Sequence, residues 1–173
     1  ANGGLGAVIQ KNVQLPNYFN MVDCLTAVKH GNGRDWWLLF RRWNSSPLAP
    51  NNEFHSYLIS PAGITNYSIQ NIGSIQSTGF GVFAWTTDGN RFAYSNLRGI
   101  LELYDFDRCT GIISNPVTVY TESSGPPWPA YWGAAFSPSN QFLYVTRIPL
   151  TVTDTSRLYQ FDVTAANIAA SAD

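Results

Sequence analysis

The stretch Gly81-Val-Phe-Ala-Trp-Thr-Thr-Asp-Gly-Asn-Arg-Phe-Ala-Tyr94 decides the fold. A short strand of small and aromatic residues runs into Asp88-Gly89-Asn90, whose residues tolerate positive φ, and an aromatic strand follows. This is a strong β-hairpin signal. Two further segments align with it: Leu25 to Leu39, turning through His30 to Arg34, and Gly133 to Val145, turning through Ser137 to Asn140. After each hairpin comes a third strand and a second turn. These are Phe54 to Ser60 before Pro61-Ala-Gly63, Ile100 to Asp107 before Arg108-Cys-Thr-Gly111, and Ser156 to Asp162 before Val163 to Ala166. Fourth strands follow at Ile64–Ile72 and Ile112–Thr121, and the third copy stops where its own should begin, near Asn167 to Ser171.

A repeat of roughly 50 residues built from four short strands is the signature of a propeller blade. Alternation of period two dominates the chain, and almost no segment has helical periodicity. The expected fold is all-β: β-propeller-type four-stranded antiparallel blades, about three of them, a partial propeller. The boundaries read as an outer strand of a preceding blade plus linker over 1–22, blade 1 over 23–73, blade 2 over 74–122 and blade 3, with a truncated fourth strand, over 123–173. Gly6 to Leu15 reads as that outer strand, so the chain opens and closes at the same phase of the repeat. This phasing lets the N-terminal strand complete an incomplete blade, in this chain or a neighbour. Three blades are fewer than the usual four to eight and leave two apolar faces bare, which implies a piece of a larger propeller or self-association. A β-sandwich of irregular hairpins stays open as the alternative.

Composition fits a packed β-domain and excludes several functions. Of 173 residues, 45% are hydrophobic and 14% aromatic, but only 12% are charged, against about 25% in an ordinary soluble domain. A net charge of -1 offers no electrostatic reason for nucleic-acid binding. No apolar run reaches the ~18 residues of a membrane-spanning helix, so membrane insertion is not expected. Cys24 and Cys109 lack metal-ligand spacing and fall on opposite faces of the expected disc, which predicts two free thiols. The low charge and abundance of Asn, Ser and Thr hint at an extracellular protein.

Two motifs are distinctive. His30-Gly-Asn-Gly-Arg-Asp-Trp-Trp37 after Leu25-Thr-Ala27, and Leu103-Tyr-Asp-Phe-Asp-Arg-Cys-Thr-Gly111 before Ser114-Asn-Pro116, resemble a repeat common in secreted β-propeller proteins of Bacteroidota. Phe136-Ser-Pro-Ser-Asn-Gln-Phe-Leu-Tyr144 resembles the general Trp-Asp-repeat hairpin. Such proteins often carry a sorting domain for the type 9 secretion system, so the resemblance implies export to the cell surface or medium. It implies no common activity.

Candidate chemistry is sparse. Asp105 and Asp107 share a strand face and fit a pair that closes the following turn better than a Ca2+ or acid–base pair, because Ser60 and Asp162 stand near the same place in the other copies. His30 and His55 have no nucleophile close in sequence, and Gly-x-Ser-x-Gly is absent, so no catalytic, metal or cofactor residues are assigned. Trp36, Phe92 and Phe142 fall at equivalent repeat positions, which points to packing between blades rather than a sugar platform. The remaining candidates lie in the variable loops of one face: Arg41, Trp43, Arg98, Trp128, Tyr131, Trp132 and Arg147, with Arg42 and Asn44 beside them. Aromatic faces near arginine suit a glycan or a peptide. The expected role is a non-enzymatic scaffold or binding module whose partners are further propeller blades, a surface protein or a glycan. The competing class is a propeller hydrolase or lactonase with its site at the central channel mouth, completed by further blades. Against it, the inner strands open with Cys24-Leu25-Thr26, Gly79-Phe80-Gly81 and Trp132-Gly133-Ala134, which bring almost no ligands.

Overall fold

The structure, a computed structural model, describes residues 8, 11–19, 21–43, 50–77, 80–121, 123, 129–149, 151 and 153–173. These form eleven strands in three antiparallel sheets. Blade 1 holds β1 (Leu25–Lys29), β2 (Trp36–Arg41), β3 (Asn51–Ser60) and β4 (Gly63–Gln76). Blade 2 holds β5 (Gly81–Trp85), β6 (Arg91–Asn96), β7 (Leu101–Asp107) and β8 (Ile112–Tyr120). Blade 3 holds β9 (Tyr131–Phe136), β10 (Phe142–Arg147) and β11 (Arg157–Asp162), and a short 3-10 turn at Ala169–Ser171 follows. Within every sheet, sequence neighbours are spatial neighbours. The first strand β5 approaches both β1 and β9, so the first strands line the inner side.

The first loops of the three blades share one backbone pattern. Each first turn is a six-residue loop, closed at its mouth by His30 N to Asp35 O (2.8 Å), Thr86 N to Arg91 O (2.9 Å) and Ser137 N to Phe142 O (2.8 Å). The fourth residue of each loop is left-handed: Gly33 (φ 73°), Gly89 (φ 70°) and Asn140 (φ 62°). Glycine and asparagine are the residues that reach this region at least cost, which explains the Asn-Gly, Asp-Gly and Ser-Asn pairs.

This loop geometry fixes which residues are equivalent. Lys29 pairs with Trp36, Trp85 with Phe92, and Phe136 with Leu143. The third member of the set is therefore Leu143, not Phe142. The sequence alignment slipped because β9 carries one residue fewer than β5 between its Gly and the loop. Phe92 and Leu143 are fully buried, whereas Trp36 is 46% exposed, because its side of blade 1 has no blade against it.

Alternation along the strands builds two cores. Trp37, Leu39 and Phe54 of blade 1 meet Phe92, Tyr94, Tyr104 and Phe106 of blade 2. The opposite side of blade 2, with Ala93, Leu101 and Leu103, meets Tyr131, Leu143, Val145 and Phe161 of blade 3. The turn face adds polar stitching between blades. The Trp37 indole donates to Arg108 O (2.9 Å), the His30 ring pairs with Cys109 O (3.0 Å), and Asn140 accepts from Thr87 N (2.9 Å).

The outer strand expected over Gly6 to Leu15 falls partly outside the described residues, and Lys11 to Leu15 carry no strand. The chain just after it packs on the outer side of blade 1, where the Tyr57 hydroxyl donates to Pro16 O (2.8 Å) and Phe19 lies 3.8 Å from the His55 ring.

Candidate functional site

The strand ends at Leu25, Arg41, Gln76, Gly81, Asn96, Tyr120, Tyr131 and Arg147 share one face, and the longer connections leave from it. That face was the expected location of a site, but the structure scatters the residues proposed for it. Arg41 is fully buried. It ends β2, whose odd-numbered side chains all point at blade 2. Its guanidinium sits 4.3 Å from the Phe54 ring and donates to Ser74 O (2.6 Å) and Ile72 O (3.4 Å). Arg41 thus ties β2 to β4 within blade 1, with the Tyr94 ring of blade 2 at 5.3 Å from its guanidinium. Beside it, the buried Glu102 carboxylate accepts from Ser74 N (3.0 Å), Ser74 Oγ (2.6 Å), Thr118 Oγ1 (2.9 Å) and the Tyr104 hydroxyl, which satisfies an otherwise costly charge.

Tyr131 is only 5% exposed and belongs to the blade 2–blade 3 core. Trp43 is half-buried, and Trp128 lies outside the described residues. Arg98 sits in the β6–β7 turn, where its carbonyl accepts from Ser123 N (2.8 Å) and so fastens the following loop. Arg147 is ion-paired to Asp154 at 2.7 Å.

Among the described residues, two grooves lie toward this face. The first is a groove of about 380 Å³ between blades 2 and 3, lined by Gly99, Tyr120, Thr121, Pro129, Tyr131, Tyr159 and Phe161. Tyr120 and Tyr131 stack with ring centroids 6.1 Å apart, and Tyr159 meets Tyr131 edge-on at 6.5 Å. Burial pushes the Tyr131 hydroxyl up to about 12, and the neighbouring tyrosines add to the shift while Arg147 opposes it. It is a neutral donor at any physiological pH. The groove joins Tyr131 to Tyr120, Tyr159 and Phe161, which the sequence reading missed because they are ordinary strand residues until two blades bring them together.

The second is an open groove of about 490 Å³ at the inner-strand ends, lined by Met21 to Leu25, Gly81 to Phe83 and Trp132. Trp132 is 41% exposed here, away from Tyr131, because adjacent strand residues face opposite ways. Asp23 is its one carboxylate. Burial pushes the Cys24 thiol up to about 12, so it stays protonated and is a poor nucleophile near neutral pH. Among the described residues, no group of three or more His, Cys, Asp and Glu converges as a metal would need.

Several other polar residues have structural partners. Asp107 accepts from Cys109 N (2.8 Å), Asp162 from Thr164 N (2.9 Å), and Ser60 from Ala62 N (3.1 Å), the repeated turn role expected of them. Backbone donation from Cys109, with Thr110, holds the Asp107 carboxyl below its usual range. His55, buried under Phe19, bridges Tyr67 (2.9 Å) and Glu53 (3.2 Å), and Glu53 also takes Arg42 at 2.8 Å. Cys24 and Cys109 are both free, the first buried and the second exposed.

Blades stacked face to face, with their first strands innermost, define a β-propeller. No protein-family model matches the chain, and no curated protein sequence matches it. Among solved structures, luciferin-regenerating enzyme, a β-propeller, matches with a TM-score of 0.51 at 14% identity, over 83% of this chain and 43% of its own. The chain spans less than half the length of that structure. At this identity the likeness concerns the fold alone. The protein is all-β, made of propeller-type antiparallel blades, about three in number.

Proposed function

We propose that the protein is a non-enzymatic, exported propeller segment whose loop-rich face binds a protein or glycan. The tyrosine-lined groove between blades 2 and 3 carries this reading. Tyrosine rings offer flat apolar surface to a sugar ring or a peptide side chain at small entropic cost, and their hydroxyls fix orientation. A volume of about 380 Å³ lies at the small end of the range for ligand sites, the size of one or two sugar rings. The apolar channel-mouth groove and the high Cys24 pKa favour binding over catalysis. Export rests on the low charge content and on the resemblance to secreted Bacteroidota propellers.

The test is a glycan array and a peptide panel probed with the chain and with Tyr159→Ala, a half-buried groove residue. Specific binding that weakens at least about tenfold in the variant supports the reading, as loss of a stacking aromatic predicts. No binding to either panel, or binding indifferent to Tyr159, overturns it.

A second reading has one observation behind it: the solved structure that resembles this fold is an enzyme by name. A hydrolase or lactonase of this chain would act at the channel mouth, with Asp23 its one carboxylate there. Ester or lactone hydrolysis abolished by Asp23→Asn would establish it, and inactivity toward such substrates in the assembled protein would remove it.

A further inference from the structure

Four aromatic rings form a closed circuit where blade 2 meets blade 3. Tyr120 of β8 stacks on Tyr131 of β9 with centroids 6.1 Å apart, and Tyr131 meets Tyr159 of β11 edge-on at 6.5 Å. Tyr159 lies 6.1 Å from Phe161, which returns to Tyr120 at 6.0 Å. All four come from two blades stacked on each other within the chain. Gly99, Thr121 and Pro129 complete the described wall of the groove. Among the described residues, that wall carries no charged and no amide side chain. The Arg147 charge that reaches Tyr131 is countered by Asp154 at 2.7 Å. The side-chain polar atoms are therefore hydroxyls. That of Tyr120 donates to Ala169 O (3.4 Å), whereas those of Tyr131 and Tyr159 make no hydrogen bond among the described residues. Tyr131 is 5% exposed, so an unpaired hydroxyl there carries a desolvation cost that an arriving acceptor relieves. One end of the groove already holds a proline. The Pro129 Cγ would stand 2.6 Å from a Cβ on Gly99, so its ring fills the space that a side chain at 99 would take.

We infer that the ligand of this groove is an uncharged proline-rich peptide in the polyproline II conformation, an inference that rests on the reading of the groove as a binding site. The choice between peptide and glycan follows from polar and charge complementarity. A sugar ring presents neighbouring hydroxyls that donate as well as accept, and carboxylate, amide or guanidinium side chains engage them in pairs. The described wall offers none of these. A proline-rich chain is the complement of what is there. Proline has no N–H, so its backbone presents carbonyl acceptors without donors, and the free phenol hydroxyls of Tyr131 and Tyr159 are donors. Burial keeps the Tyr131 hydroxyl protonated, with its pKa pushed up to about 12. Proline rings pack on aromatic faces, as Pro129 packs at the groove's own rim. A polyproline helix is extended before it binds and has no internal hydrogen bonds to break, so little freedom is lost on docking. The uncharged wall, finally, holds no counter-ion for a charged ligand.

The probe is fluorescein-labelled decaproline, titrated with the chain and followed by fluorescence anisotropy, beside a labelled Gly-Ser peptide of equal length and the glycan array. Decaproline should bind saturably, and the flexible Gly-Ser peptide at least about tenfold more weakly. Tyr159→Ala should weaken decaproline at least about tenfold, as loss of a stacking aromatic predicts. Tyr159→Phe keeps the ring and removes one donor, and should weaken it about fivefold. The alanine variant decides the matter while its far-UV circular dichroism matches wild type; where it does not, the phenylalanine variant decides instead. Absent decaproline binding, equal binding of the Gly-Ser peptide, or binding indifferent to the deciding variant overturns the inference. Glycan binding that depends on Tyr159 without decaproline binding also overturns it, and leaves the groove a binding site for sugars. Silence from decaproline, the peptide panel and the glycan array alike removes both the inference and the reading beneath it.

Discussion

Truncating Phe92, Trp36, Leu143 and Phe142 to alanine, one at a time, tests the blade register. Phe92 has no exposed surface, and its ring lies 4.9 Å from Trp85, 5.0 Å from Tyr104, 5.6 Å from Phe83 and 5.8 Å from Phe54. Removing it leaves a cavity walled by other aromatics that cannot collapse, so the cost should reach the upper part of the ~3–5 kcal/mol range for such truncations. Leu143, equally buried between blades 2 and 3, should cost ~2–5 kcal/mol. Phe142 is half-buried on the bare side of blade 3 and Trp36 is largely exposed, so each should cost no more than about 1 kcal/mol in the monomer. With a urea m-value of ~2 kcal/mol/M, Phe92→Ala should lower the unfolding midpoint by about 2 M and Phe142→Ala by about 0.5 M or less. Urea titration followed by tryptophan fluorescence, below the concentration of any self-association, reads these shifts. If Phe142→Ala proved more destabilising than Leu143→Ala, the six-residue loop alignment would be wrong, and with it the assignment of faces.

Three other perturbations address separate parts of the structure. Gly33→Ala meets only its positive φ, with open space around a new Cβ, and should cost about 1 kcal/mol, whereas Gly89→Ala also drives a Cβ to 2.7 Å from Val28 and should cost more in the same titration. Equal costs would show that the β5–β6 turn does not press on blade 1. One thiol, the exposed Cys109, should react quickly with an aromatic disulfide reagent near neutral pH, while Cys24 should wait for unfolding because burial pushes its thiol up to about 12; two fast thiols would contradict this. Burial holds the His55 imidazole below its ordinary range despite the upward pull of Glu53, so the unfolded chain binds a proton that the folded chain refuses. The associated stability is fully present above about pH 6.5 and falls as pH drops toward the folded value of His55. The midpoint drop between about pH 7.5 and about pH 5.5 should therefore shrink in His55→Gln, and an unchanged drop would refute the assignment.

Most of the fold was legible because hairpin turns write their geometry into sequence. Gly33, Gly89 and Asn140 announce left-handed residues at one loop position, and the alternation on either side announces the faces. The one-residue slip at Phe142 came from aligning aromatic to aromatic, when the loop length requires Leu143. Arg41 was misplaced because charge was weighed above alternation; Trp37, Leu39 and Arg41 share a side, and inside the protein the guanidinium finds the Phe54 ring and two carbonyls. The groove was the least legible part. Tyr120 and Tyr159 belong to different blades, and only the packing of one sheet on the next brings them to Tyr131.

Proton–proton contacts at the tryptophan indoles in a nuclear Overhauser spectrum test the stacking of repeated sheets most directly. The Trp37 indole N–H donates to Arg108 O and the Trp85 indole N–H to Thr26 Oγ1, each joining blade 1 to blade 2. Cross-peaks from the first indole to Arg108 or Cys109 and from the second to Thr26 are predicted. Indole protons that see only their own sheet, or that exchange freely with water, would contradict the blade-on-blade arrangement.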